Sequence, residues 1–193
     1  MELQESRRKL GLQLIENGAA QGAERLSRIC RAQWRVEKLE AGAQAEECFA
    51  ALCARASEDH FGSCFFASGG VFLVIFDRRS GLRVCTRFAG DFSDQLDIVE
   101  NLEPAALGEV SNILVNALAE GLARSGRDVL MLSAPEPLID GARELLQSAL
   151  QRVKYPEKLA LTCHVRLVCP ALPAQAALVV LLDEDFLLRV CGV

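Results

Sequence analysis

Aromatic residues are scarce, at 6% of the 193 residues, and Trp34 and Tyr155 are the single members of their types. The core must therefore be filled mainly by aliphatic side chains. His60 and His164 lie far apart with no carboxylate at metal-ligand spacing, which leaves each a structural or surface role. Positive charge is not in surplus: the net charge is −5, which argues against sequence-independent nucleic-acid binding and against an anionic membrane surface. No apolar run reaches the roughly 18 residues of a membrane span. The opening MELQESRRKLG carries no apolar stretch after its basic residues, so no secretory signal is expected. Arg7, Arg8 and Lys9 are balanced by Glu2 and Glu5 and read as a solvated helix face. "ASGGVF" lacks the spacing of a phosphate loop and precedes a strand, and no nucleophile elbow of the G-x-S-x-G type occurs. These absences point to a cytoplasmic protein without a nucleotide loop or a nucleophile of its own.

Half of the chain is hydrophobic and 24% is charged, enough for one packed domain or two closely joined halves. Eight cysteines are present, at positions 30, 48, 53, 64, 85, 163, 169 and 191, with no C-x-x-C pair among them. Contexts such as "FGSCFFAS" and "LTCHVRLVC" are apolar, so buried reduced thiols are expected rather than disulfides or metal ligands.

The chain also repeats itself. "VFLVIFDRRSGLRVC" (71–85) and "ALVVLLDEDFLLRVC" (177–191) agree at six of fifteen positions at a fixed offset of 106. Asp77 and Asp183 each close an apolar run, and each is followed by L-R-V-C. The surrounding pattern predicts two similar halves. Each has a long helix (about 5–31 and 104–125), then an extended piece ("WRVEKLE" and "VLMLSAP"). A second helix (about 43–57 and 138–152) and two strands (61–67 with 71–77, and 158–169 with 176–182) complete it. Pro104 suits a first helical turn and Gly126 a stop. Residues 1–87 and 104–193 are thus read as pseudo-repeats of one domain, joined by 88–103. The expected class is α+β: halves related by a pseudo-twofold share one mainly antiparallel sheet with helices over it.

Within the helix of the second half, Glu109, Asn112 and Asn116 fall within about 60° of one another. The apolar set Val110, Ile113, Leu114, Ala117 and Gly121 is centred elsewhere on the wheel and is expected to face the core. The polar strip then lies outside, fringed by the small residues Ala105, Gly108, Ala119 and Ala123, which would let another protein approach closely. A Glu and two Asn on a wet helix face are, on their own, ordinary solvent cover.

The spacing "LGEVSNILVNAL" resembles the signature helix of the CheC/CheX/FliY phosphatases of bacterial chemotaxis. Their pattern is Asp or Ser, three residues, Glu, two residues, Asn, then 22 residues and Pro. Here it falls on Ala105, Glu109, Asn112 and Pro135, with residues 113–134 between the last two. The likeness covers most of the chain. The first helix resembles the corresponding helix in Gly18, Ala19, Gly22 and Ala23, but has Gln13, Glu16 and Leu39 at the Glu, Asn and Pro positions, so its site looks lost.

The resemblance implies hydrolysis of the aspartyl phosphate of a CheY-like receiver domain. Asn112 would hold the attacking water and Glu109 would pair with the receiver's active-site Lys. Mg²⁺ would belong to the receiver, so no cofactor is expected of this chain. Asn116 has no place in the pattern and is read as a rim contact or solvent cover. Ala105, where the family has Asp or Ser, opens a second reading: a non-catalytic module of the same fold that docks a receiver, a flagellar-switch component or a CheD-like deamidase. Gly18 and Gly22, each costing about 1 kcal/mol against Ala in a helix, hint at close helix approach.

Overall fold

The structure is a computed structural model that describes residues 2–42, 60–89, 96–124 and 130–191. The helix expected over 43–57, with Cys48 and Cys53, lies outside them. In the first half, α1 (Glu2–Cys30) leads to β1 (Arg35–Gly42), then to the hairpin of β2 (His60–Ala67) and β3 (Gly70–Asp77), then to α2 (Arg78–Ala89). The second half runs α3 (Leu96–Ala123), β4 (Glu136–Asp140), α4 (Ala142–Gln151), β5 (Leu159–Cys169), β6 (Ala174–Asp183) and α5 (Glu184–Cys191), so that the two halves match element for element apart from α4, whose counterpart falls outside the described residues.

The six described strands pair antiparallel in one sheet of order β1-β5-β6-β3-β2-β4. The order reads the same from either side once the halves are exchanged. At its centre β3 pairs with β6, and Leu73 faces Val179 across the ladder. These two residues are 106 positions apart, so each is the other's counterpart in the repeat and the pseudo-twofold passes through their pair. Each half also gives its first strand to the other: β1 pairs with β5, and β4 with β2.

Strands β3 and β6 are apolar on successive residues because both faces of the sheet are covered. On one face Phe72, Val74, Phe76, Leu178 and Val180 pack with Ile15 and Leu26 of α1, Leu114, Leu118 and Leu122 of α3, and Phe186 of α5. On the other, Val71, Leu73, Ile75, Val179 and Leu181 pack with Leu145, Leu146 and Ala149 of α4. The six described cysteines are buried, as their apolar contexts predict. Helices α1 and α3 pack closely: a Cβ on Gly18 would sit 2.8 Å from the Leu118 Cα, and one on Gly22 3.0 Å from a Leu114 methyl.

Helices α2 and α5 depart from the sequence expectation, which left L-R-V-C in no element. The repeated aspartates account for them. Asp77 Oδ1 accepts the Ser80 N–H at 2.7 Å, and Asp183 Oδ1 accepts the Phe186 N–H at 2.7 Å. Each therefore caps a helix at its third residue. The repeated arginines bind across the molecule: Arg83 donates to the Pro173 carbonyl in the turn between β5 and β6, and Arg189 to the Ser68 carbonyl in the turn between β2 and β3. Each half thus holds the other's hairpin.

Three boundaries also differ. Helix α3 begins at Leu96, so Pro104 lies inside it and α2 and α3 occupy most of the expected connection. Segment 130–135 is not a strand; β4 starts at Glu136, and α4 starts only after Gly141. Pro135 lacks the N–H a ladder needs. Ser133 supplies a link instead: its N–H donates to the Phe66 carbonyl at 2.8 Å, and its Oγ accepts the Phe66 N–H at 3.0 Å.

Candidate functional site

Helix α3 turns one stripe away from the core. Ala105, Glu109 and Glu120 on it are exposed, and Asn112 and Asn116 are half-buried. Behind them Val110, Leu114, Ala117 and Leu118 are buried, which anchors the helix and fixes which side faces out. Ile113, expected in the core, is only half-buried at its edge. The strip therefore sits where the periodicity placed it.

Within the strip the structure joins two of the residues. Asn116 Nδ2 donates to Asn112 Oδ1 at 2.8 Å, across one helical turn. Glu109 stands one turn before Asn112 on the same stripe. Pro135 belongs to another segment, half-buried ahead of β4. Beyond Asn116 the stripe continues to Glu120, which α1 reaches with Arg25 in a two-armed pair of 3.0 and 2.5 Å. The hydrogen bond from Arg25 holds the Glu120 carboxyl below its usual range, and the same bond raises the Arg25 guanidinium. Sequence reading missed this pair, since only the packing of α1 on α3 brings residues 95 positions apart together.

The corresponding stripe of α1 carries Gln13, Glu16, Ala20 and Glu24, all exposed. A carboxylate stands where Asn112 stands in the second half, and the Glu position holds an amide. The two stripes share a place in the fold but not a chemistry.

A surface cleft of about 350 Å³ lies apart from both stripes, beside the N-terminus of α2, lined by Arg35, Asp77, Arg79, Arg83 and Gln175 among others. None of the strip residues lines it. His60 and His164 are buried, at 6% and 5% exposure, so they are internal rather than surface residues. His164 lies 3.7 Å from Glu40 across the β1–β5 ladder. Its burial lowers the imidazole pKa, against the pull of Glu40. Among the described residues no group of three or more His, Cys, Asp or Glu is arranged to hold a metal ion. No described helix is long and apolar enough to cross a membrane.

A duplicated α+β unit whose described strands form one six-stranded antiparallel sheet is the fold of the CheC/CheX/FliY proteins. Among solved structures, FliY of Thermotoga maritima superposes with a TM-score of 0.65 at 13% identity, covering 97% of this chain and 94% of that one. FliM in the FliM–SpeE complex from H. pylori gives 0.65 at 11% identity, covering 97% and 95%. CheX from Vibrio vulnificus gives 0.59 at 12% identity, covering 89% and 99%. No protein-family model and no curated protein matches the sequence.

Proposed function

We propose that this chain is a CheC-like phosphatase that removes phosphate from the aspartate of a CheY-like receiver domain, using Glu109 and Asn112. The observation that carries the reading is the outward placement of these two residues on α3, at the spacing that the resemblance assigns to docking and water positioning. An aspartyl phosphate lies at a protein surface, so a convex helix face reaches it without a pocket. A water oxygen attacks phosphorus in line with the bond to the aspartate. As the new O–P bond forms the old one breaks, the aspartate leaves as a carboxylate, and a water proton passes to solvent, giving inorganic phosphate. Asn112 holds that water by hydrogen bonds and Glu109 pairs with the receiver's lysine. The receiver keeps its own Mg²⁺, so the reading asks for no metal on this chain and places its work in the cytoplasm.

A second reading has an observation in its favour. Ala105 stands at the Asp/Ser position, and solved structures with this fold include the FliM–SpeE and FliG–FliM complexes from H. pylori. On that reading the same helix docks a receiver, a flagellar-switch component or a CheD-like deamidase without chemistry.

The deciding experiment follows phosphate loss from phosphorylated receivers with wild type, Asn112→Ala and Glu109→Ala. Catalysis predicts acceleration by wild type, its abolition in Asn112→Ala with binding retained, and weaker binding in Glu109→Ala. Binding by wild type without acceleration of any receiver would establish the docking module instead.

A further inference from the structure

We propose that the cleft beside α2 is a binding site for a small phosphate-bearing ligand, held by Arg35 and Arg79 with Arg83 at its side. The inference is independent of the phosphatase reading, since no residue of the α3 strip lines the cleft. It starts from a difference between the repeats. Where β6 passes into α5, the two-residue turn at 68–69 closes over Asp183. The Gly69 carbonyl accepts the Asp183 N–H at 2.8 Å, and a Cβ on Gly69 would collide with the Asp183 carboxylate. Where β3 passes into α2, the facing turn has four residues, 170–173. There Asp77 is only half-buried, and the cleft of about 350 Å³ opens. That volume admits a small organic phosphate.

The charges differ as well. Arg78 and Arg79 occupy the first two positions of α2, where positive charge opposes the helix dipole; α5 has Glu184 and Asp185 there. Arg35 faces Val168 across the β1–β5 ladder, whereas its counterpart facing Gly62 is Leu138. Two of the three arginines lining the cleft thus have no equivalent in the other half.

Elsewhere the chain gives arginines acidic partners, as in Arg25–Glu120, Arg152–Glu136 and Arg166–Glu37. The cleft does not. Among the described residues Arg35 and Arg79 have no hydrogen-bonding or ionic partner, and Arg83 gives the Pro173 carbonyl one of its five N–H donors. The two carboxylates in the wall are already engaged. Glu37 pairs with Arg166 at 3.0 Å, and Asp77 accepts from Ser80 and, at 3.0 Å, from the Gln175 Nε2. Because Asp77 caps α2, the arginine side chains rather than the helix end supply the site. Three guanidiniums without a carboxylate partner, gathered on one concavity of a chain of net charge −5, attract an anion of high charge. Guanidinium forks match phosphate oxygens two at a time. No aromatic ring lines the cleft among the described residues, so phosphate rather than a stacked base carries recognition.

The test is calorimetric titration of the full chain with pyrophosphate at low ionic strength, where screening is weak. Pyrophosphate is expected to bind one-to-one with a Kd of about 1 mM or tighter. Replacing both exposed arginines, Arg35→Ala with Arg79→Ala, should weaken it about tenfold or more, the scale of one lost charge-assisted hydrogen bond. Arg143→Ala, which removes an exposed charge on α4 outside the cleft, should leave Kd within about twofold. The thermal transition of the double variant shows whether the loss is one of binding or of folding. Should that transition fall, amide NMR of wild type decides: shifts gathered at residues 79–80 and 174–175 uphold the site, and shifts gathered elsewhere overturn it. Absence of saturable binding, or equal affinity in a folded double variant, overturns the proposal. Citrate binding as tightly as pyrophosphate would overturn the assignment to phosphate.

Discussion

Asp77 and Asp183 sit at the same place in the two repeats, and each ends a strand and caps the following helix. Their surroundings have diverged. Asp183 is buried at 8% exposure and accepts the Phe186 N–H, whereas Asp77 accepts from the Ser80 backbone, the Ser80 hydroxyl and the Gln175 amide. Burial alone would push the Asp77 carboxyl up. The hydrogen bonds from the Ser80 N–H, Gln175 and the Ser80 hydroxyl outweigh it and hold the group below its ordinary value. A folded-state pKa below the unfolded value of about 3.9 means that the unfolded chain binds the proton more readily. The contribution of Asp77 to stability is therefore fully present above about pH 4 and is lost as pH falls through its depressed folded pKa. Asn at this position removes the titration. Urea midpoints measured from pH 6 down to pH 2.5 should fall less steeply below about pH 4 in Asp77→Asn than in wild type. Parallel curves would show that the hydrogen bonds to Asp77 do not favour its charged form.

At the scale of elements, what was legible in the sequence was what periodicity writes down. The 3.6-residue spacing of Ile15, Ala19, Leu26 and of Val110, Leu114, Ala117 gave both long helices and their buried faces, and with them the outward strip of Glu109 and Asn112. The apolar runs of β3 and β6 gave two strands, but not their place at the centre of the sheet, which only the pairing of the halves decides. What was missed has local causes. The L-R-V-C helices α2 and α5 are short and follow strands directly, and the Asp that ends each strand is also the cap of the helix after it. Pro104 looked like a helix start because that is where proline is cheapest, yet α3 begins at Leu96. β4 follows Pro135 rather than preceding it, with Ser133 bridging to β2. The Asn112–Asn116 bond depends on side-chain direction, which spacing alone leaves open.

Gly18 and Gly108 test the packing of these helices with opposite signs. A Cβ on Gly18 would meet the Leu118 backbone at 2.8 Å, while one on Gly108 meets nothing within 4 Å. In an open helix Gly→Ala stabilises by about 1 kcal/mol, so Gly108→Ala should raise stability by up to that amount. At Gly18 the clash is with backbone that can yield only if α1 and α3 separate, an overpacking cost of about 1–3 kcal/mol. Gly18→Ala should therefore destabilise on balance by roughly 1 kcal/mol. Chemical denaturation of the two variants checks both signs, and stabilisation by Gly18→Ala would mean that the helices are not in close contact.

For the whole molecule, the topology decides whether either half is a folding unit. A half on its own keeps its hairpin, but among the described residues its first strand pairs across to the other half: β1 with β5 and β4 with β2. Separation would also uncover the β3–β6 ladder, the α1–α3 contact and the hairpin turns held by Arg83 and Arg189. A sheet with its central edge exposed and apolar is a template for pairing with another chain. Fragments 1–92 and 93–193, cut between α2 and α3, should each lack a cooperative unfolding transition as monomers. Mixed, they should reconstitute a one-to-one complex, because the register through Leu73 and Val179 aligns both halves at once. The pseudo-twofold also offers each fragment a homodimer, with β3 against a second β3. The fragment carrying Val71, Leu73 and Ile75 should self-associate more weakly than it binds its natural partner, since the Arg83 clasp on Pro173 and the β1–β5 pairing both need residues of the second half. Size and thermal transitions of each fragment alone and of the mixture measure this. A monomeric fragment that unfolds cooperatively by itself would mean that the duplication joins two independent units rather than one interlocked fold.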